Sequence, residues 1–94
     1  MARVQRIVVP GQALHIVQRG NNRQPVFFAE EDYLFYLEVL GRAAQKTGCQ
    51  IHAYVLMTNH VHVLLTPSSA EGPLRLMQSV GRSYVRIRQC RLST

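Results

Sequence analysis

The sequence is poor in acidic residues, and this shortage limits the kind of partner that it suits. Five Asp and Glu residues stand against eleven Lys and Arg among 94 residues, which gives a formal net charge of +6. No acid precedes Glu30 or follows Glu71. Ten of the eleven basic residues are Arg, whose planar guanidinium binds phosphate in a bidentate manner. An anionic partner is therefore expected, and nucleic acid is the commonest kind.

Cysteine pairs and long apolar runs are also missing. Cys49 and Cys90 are isolated, without CxxC spacing, which is typical of reduced residues in a cytoplasmic protein. The N-terminus has no apolar signal segment, and no run approaches the ~20 apolar residues of a membrane span. A chain of 94 residues with 47% hydrophobic residues is expected to form one globular domain.

The apolar pattern predicts an α+β domain with the order strand, helix, strand, strand, helix. Strands are predicted over residues 13–19, 50–57 and 60–66, and helices over 30–47 and from Pro73 to about Arg88. Residues 1–12 are expected to be a basic irregular segment, and 89–94 an irregular tail. This order is that of a ferredoxin-like β-α-β-β-α unit, an antiparallel sheet with both helices on one face. Its closing strand is predicted to be missing.

Two histidines directly follow the predicted hairpin turn at Thr58-Asn59. His60 and His62 are two residues apart on a strand, so their side chains point to the same face of the sheet. Imidazole is a common metal ligand, and the pair could supply at most half of a coordination shell. The spacing alone leaves a metal site and ordinary surface histidines equally open.

Three sequence blocks together resemble a known family. Residues 52–65, HAYVLMTNHVHVLL, resemble the His-hydrophobic-His (HUH) signature of IS200-like (Y1) transposases, in particular the branch of REP-associated tyrosine transposases. Residues 14–27, LHIVQRGNNRQPVF, resemble that branch's first strand and its Arg-Gly-Asn turn. Residues 76–85, LMQSVGRSYV, resemble the helix after the HUH strand. The resemblance covers roughly residues 3–88.

The resemblance implies a DNA-cleaving chemistry. Such enzymes cut and rejoin single-stranded DNA at hairpin-bearing ends through a phosphotyrosine intermediate. A divalent cation, Mg or Mn, is held by the two histidines and one further polar residue, so His60 and His62 are the expected metal ligands. The candidate DNA contacts are Arg19, Asn21 and Arg23 in the first block, with Arg82 and Arg86 on the solvated side of the second helix.

The main departure from the family pattern concerns the tyrosine that acts as the nucleophile. In the family it lies on a helix well beyond the second one, which also tends to supply the third metal ligand. Here the one tyrosine after the motif is Tyr84, on the apolar stripe of the second helix, where core packing is favoured over catalysis.

The chain is therefore expected to be a C-terminally truncated transposase that binds DNA but is inactive alone. Two alternatives stay open. One is a non-catalytic ferredoxin-like module that binds nucleic acid, and the other is a non-functional gene remnant.

Overall fold

Four strands and two helices form the part of the chain that the computed structural model describes, namely residues 8–20, 25–84 and, for the backbone alone, 87–93. Neighbouring strands pair antiparallel in the order β2-β3-β1-β4. The predicted ferredoxin-like α+β fold is confirmed. The elements are β1 (Leu14–Gly20), α1 (Glu30–Thr47), β2 (Cys49–Leu56), β3 (His60–Pro67), α2 (Gly72–Ser83) and β4 (Ile87–Ser93).

Helix α1 has the bounds that its sequence signals predict. Its first turn carries three acids, which the helix dipole favours. The Asp32 carboxylate accepts hydrogen bonds from the backbone N–H groups of Phe28 and Ala29, at 2.8 and 3.1 Å. At the other end Gly48 adopts φ 71°, a left-handed conformation that glycine takes without strain. The chain then turns directly into β2.

Both helices cover one face of the sheet, and no helix of the described residues covers the other face. Tyr36 and Leu40 of α1 and Leu76 and Val80 of α2 pack against alternate strand residues in the core. The hydroxyl of Tyr36 donates to the side-chain oxygen of buried Gln18. The aliphatic residues of β1 and β3 that point into this core are Leu14, Ile16, Val61, Val63 and Leu65.

The closing strand is present, so the prediction of an incomplete sheet is wrong. Helix α2 ends at Ser83 instead of near Arg88, and Ile87–Ser93 then pairs with β1 as β4. Most of the predicted irregular tail therefore belongs to a strand. Its Arg-rich sequence lacks a clear apolar alternation, whereas backbone hydrogen bonds to the outer edge of β1 suffice to form an edge strand.

The N-terminal segment is described only in part. Residues 8–12 form turns and irregular backbone as predicted, while residues 1–7 lie outside the described residues. Within the described residues, neither helix is long and apolar enough to cross a membrane.

Replacing Leu65 with Ala should destabilise the fold strongly. Leu65 is fully buried on the central strand β3, and truncating such a side chain removes apolar contacts and leaves a cavity. The expected loss in unfolding free energy is about 2–5 kcal/mol, measured by urea denaturation followed by circular dichroism. Leu64→Ala is the matched control, because Leu64 is 40% exposed on the opposite face and should lose much less. Equal losses in the two variants would contradict this division of the sheet.

Candidate metal and nucleic-acid site

The turn between β2 and β3 places the candidate site at one end of the sheet. Thr58 and Asn59 form the turn, which the N–H of Met57 closes by donating to the carbonyl of His60 at 2.8 Å. The Thr58 carbonyl accepts the N–H groups of Val26 at 2.8 Å and Phe27 at 3.2 Å. These bonds tie the predicted hairpin to the segment that leads into α1, so the start of β3 has a defined position.

His60 and His62 lie on the sheet face that the helices do not cover. Val61 between them is fully buried in the core, while both histidines are half-buried. Their ring centroids are 5.0 Å apart, with an angle of 70° between the ring planes. The structure thus brings the two predicted ligands together at one solvent-accessible place.

Each ring of this pair has its Nδ1 atom engaged by a neighbouring side chain. His60 Nδ1 lies 2.7 Å from the side-chain oxygen of Asn59, which can only accept, so His60 Nδ1 donates. His62 Nδ1 lies 2.9 Å from Nε2 of His15. Among the described residues no partner engages either Nε2 atom, and Nε2 is a usual metal-binding nitrogen of imidazole.

The surroundings of His62 favour its neutral form. Burial first, and then the nearby imidazoles of His60 and His15, lower the pKa of His62 below its ordinary value, because an imidazolium here would lose hydration and face other positive charge. A neutral imidazole is the form that binds a metal ion. Partial burial and the pair of rings therefore prepare His62 for ligation.

His15 is the site residue that the sequence analysis missed. It lies on β1, on the same face as Val17 and Arg19, and β1 pairs directly with β3. Alternation along a strand is a signal in the sequence that puts His15 on the same face as Arg19. The register that brings it to His62 has no signature in the sequence.

The candidate DNA contacts divide into two groups. Arg19 is exposed and lies opposite His60 in the β1–β3 register, so it borders the histidine pair. Arg82 is exposed in the last turn of α2, on the helical side of the sheet and away from the pair. Asn21, Arg23 and Arg86 lie outside the residues whose side chains the structure describes.

Tyr84 lies in the core and not beside the histidines. It is 5% exposed, and its hydroxyl donates to the carbonyl of Val26 at 2.7 Å. Its ring meets those of Phe27 and Tyr36 edge to face. The sheet separates all these groups from His60 and His62, so the structure gives Tyr84 a packing role.

The described residues bring no third carboxylate or thiolate ligand to the histidine pair. In residues 8–20 and 25–84, no group of three or more His, Cys, Asp or Glu side chains could hold a metal ion. Both rings have an oriented Nδ1 and an Nε2 without a partner among these residues, which is the state in which an imidazole can ligate a metal ion. Imidazole nitrogen is a ligand of first-row transition metals, whereas Mg²⁺ takes mostly oxygen ligands.

Comparison with known proteins identifies relatives of the chain. The family model described as transposase IS200 like matches residues 8–92. A REP-associated tyrosine transposase bound to a REP hairpin has a similar structure, with a TM-score of 0.73 and 13% identity. The match covers 99% of this chain and 61% of that protein, so the chain spans less than two thirds of that transposase. No curated protein matches the sequence at a significant level.

Two further solved structures share the fold. A candidate transposase from Deinococcus radiodurans R1 matches with a TM-score of 0.71 and 18% identity, over 99% of this chain and 85% of that one. The de novo designed protein Ferredog-Diesel matches with a TM-score of 0.53 and 16% identity, over 100% of this chain and 96% of that one. At such identities the likeness concerns the fold.

The lowered pKa of His62 predicts that the fold loses stability on acidification. The unfolded chain binds a proton at this residue near pH 6.5, whereas the folded chain does so only at lower pH. Unfolding therefore becomes easier as the pH falls through 6.5, and above this value the contribution vanishes. The check is to compare the urea midpoints of wild type and His62→Gln between about pH 8 and about pH 5. As the pH falls, the wild-type midpoint should decrease more steeply than that of His62→Gln. Parallel curves of midpoint against pH would contradict the prediction.

Proposed function

Because the chain belongs to the IS200-like transposase family, we propose that it binds single-stranded or hairpin DNA at the end of the open sheet face where His60 and His62 lie. The observation that carries this proposal is the position of the pair, which is accessible and bordered by Arg19. Guanidinium binds phosphate through paired hydrogen bonds. A DNA phosphate could therefore contact Arg19 while the neighbouring phosphate group lies at the histidines.

The composition of the chain and its structural similarity to a known transposase both support DNA as the partner. The net charge of +6 favours a polyanion, and the REP-associated tyrosine transposase of similar fold was determined with a REP hairpin. The described part of the open face carries no Phe or Tyr, the residues on which ferredoxin-like RNA binders stack bases. Phosphate contacts at the histidine end thus fit this surface better than base stacking across the sheet.

The histidine pair would hold a divalent cation, Mn²⁺ or Mg²⁺. Bound there, such an ion would polarise a phosphate of the DNA and stabilise charge that develops during cleavage. His60 and His62 would ligate through Nε2, since Asn59 and His15 engage their Nδ1 atoms. In the whole protein we propose cleavage and rejoining of DNA through a phosphotyrosine link, which serves transposition.

None of the four tyrosines is placed to act as that nucleophile. Tyr33, Tyr36 and Tyr84 belong to the helical side of the sheet, where all three rings lie near Phe27. Tyr54 is opposite the buried Val63 in the β2–β3 register, so its side chain points away from the histidine face. The 94-residue chain alone is therefore proposed to bind DNA without cutting it.

Replacing Arg19 with Ala should weaken DNA binding and its dependence on salt. Loss of one phosphate contact to single-stranded DNA lowers the slope of log affinity against log salt by about 0.7. Fluorescence anisotropy with a labelled hairpin that carries a single-stranded arm, in the presence of Mn²⁺, measures both quantities.

Arg42→Ala is the matched control for the Arg19 substitution. It removes the same charge from α1, where Arg42 pairs with Glu38 at 2.7 Å on the exposed helix surface, and should leave the slope unchanged. A salt slope near zero for the wild type would rule out nucleic acid as the partner. Equal effects of both substitutions would show that binding depends on the net charge of the protein and not on the position of Arg19.

The chain should form no covalent adduct with DNA. Incubation with Mn²⁺ and a labelled hairpin, followed by denaturing electrophoresis, should show no protein-linked label, because no tyrosine hydroxyl faces the histidine pair. Tyr84→Phe is the informative variant, since it removes the hydroxyl bonded to Val26 and keeps the ring. An adduct that forms with the wild type and disappears with Tyr84→Phe would overturn the packing role of Tyr84.

A further inference from the structure

His15 of β1 is the side chain that engages His62 from the neighbouring strand. Val17 lies directly opposite His62, and His15 lies opposite Leu64, so His15 is the diagonal neighbour of His62 on the same face. Its Nε2 atom is 2.9 Å from Nδ1 of His62. The direct neighbours Val17 and Val55 have no side-chain polar atom, which leaves this contact to His15.

The two rings lie edge to edge and nearly in one plane. Their planes differ by 7°, and their centroids are 5.1 Å apart. Rings stacked face to face could not bring two nitrogens within 2.9 Å of each other, because their atoms would be separated by a van der Waals contact. The centroid distance instead equals about the nitrogen–nitrogen distance plus the distance from centroid to nitrogen in each of the two rings. This is the geometry of an N–H···N hydrogen bond.

From this geometry we infer that His15 is a positioning residue, which holds His62 in the tautomer with its proton on Nδ1 and Nε2 free for a metal ion. The inference rests on the proposed function, in which His62 ligates through Nε2. His62 Nδ1 then donates and His15 Nε2 accepts. Metal-binding histidines generally donate their second N–H to an acceptor that fixes the ring, and here a third imidazole is that acceptor.

The same geometry shows why His15 is not a third ligand. The accepting nitrogen of His15 points at His62 Nδ1, whereas a ligand would point at the ion on the far side of the His62 ring. Asn59 has the equivalent role for His60, with its side-chain oxygen 2.7 Å from Nδ1. Each histidine of the pair is thus held by one side chain, from the turn in one case and from β1 in the other.

The first measurement is the tautomer of His62 in the metal-free protein, read from long-range ¹H–¹⁵N correlation spectra. The wild type should show the proton on Nδ1. His15→Leu removes the acceptor, and His62 should then lose this single tautomer. His15→Gln should restore it, because an amide oxygen can occupy the place of the Nε2 acceptor. Circular dichroism of each variant verifies that the fold is retained.

The second measurement is the affinity for Mn²⁺, followed by electron paramagnetic resonance of the free ion. His15→Leu should weaken binding about tenfold or more, as expected when the partner of a metal-binding histidine is removed. His15→Gln should bind close to the wild type. His52→Leu is the control, because His52 is exposed on β2 and engages Thr66 at 2.6 Å, away from the pair, and should change neither quantity.

The outcomes separate the inference from the function on which it rests. The positioning role alone would be overturned if His15→Leu bound Mn²⁺ as tightly as the wild type. It would also be overturned if the His62 tautomer were the same in that variant as in the wild type. Zn²⁺, which is diamagnetic, replaces Mn²⁺ in a further NMR test. If the ¹⁵N shift of His15 Nε2 then indicated direct coordination, His15 would be a ligand and the positioning role would be overturned. Failure of the wild type to bind Mn²⁺ would overturn the proposed metal site, and with it the role of His15.

Discussion

The antiparallel pairing of β1 with β3 is the constraint on which both the core and the site depend. Its register sets Ile16 opposite Val63 and Val17 opposite His62. Because side chains alternate along a strand, the first pair enters the core and the second faces solvent. A slip of β3 by one residue would turn Val63 toward solvent and His62 into the core. The hydrophobic demand of the core therefore also places the histidine pair.

The sheet separates two environments of different chemistry. On the helical side, Phe27, Tyr36 and Tyr84 pack edge to face. Among the described residues, every buried side-chain nitrogen or oxygen atom has a hydrogen-bond partner. Around His62 on the open side, three imidazoles and an arginine lie within reach of water and of a charged ligand. A nucleic-acid phosphate can approach this second side without disturbing the core. The burial of Tyr84 and the accessibility of His62 follow from the same layer order.

Much of the fold was predictable from local signals. The acidic first turn and Gly48 mark the two ends of α1, and Thr58-Asn59 between apolar runs marks the hairpin. These signals concern backbone preferences of neighbouring residues, so they are visible in the sequence. The strand β4 was not predictable, because an Arg-rich edge strand is held by backbone bonds to β1 and carries no regular apolar alternation. The predicted length of α2 was wrong for the same reason.

The sequence by itself determined the family and the shared face of His60 and His62. A spacing of two residues on a strand puts side chains on one face, whatever the rest of the fold. Only the tertiary structure decided which side chains meet that pair. His15 and His62 are 47 positions apart, and Arg19 of β1 lies opposite His60 of the neighbouring strand β3. Such contacts depend on the strand register, which core packing and inter-strand hydrogen bonds select together. Both interactions join residues that are distant in the sequence, so they form only when the chain folds.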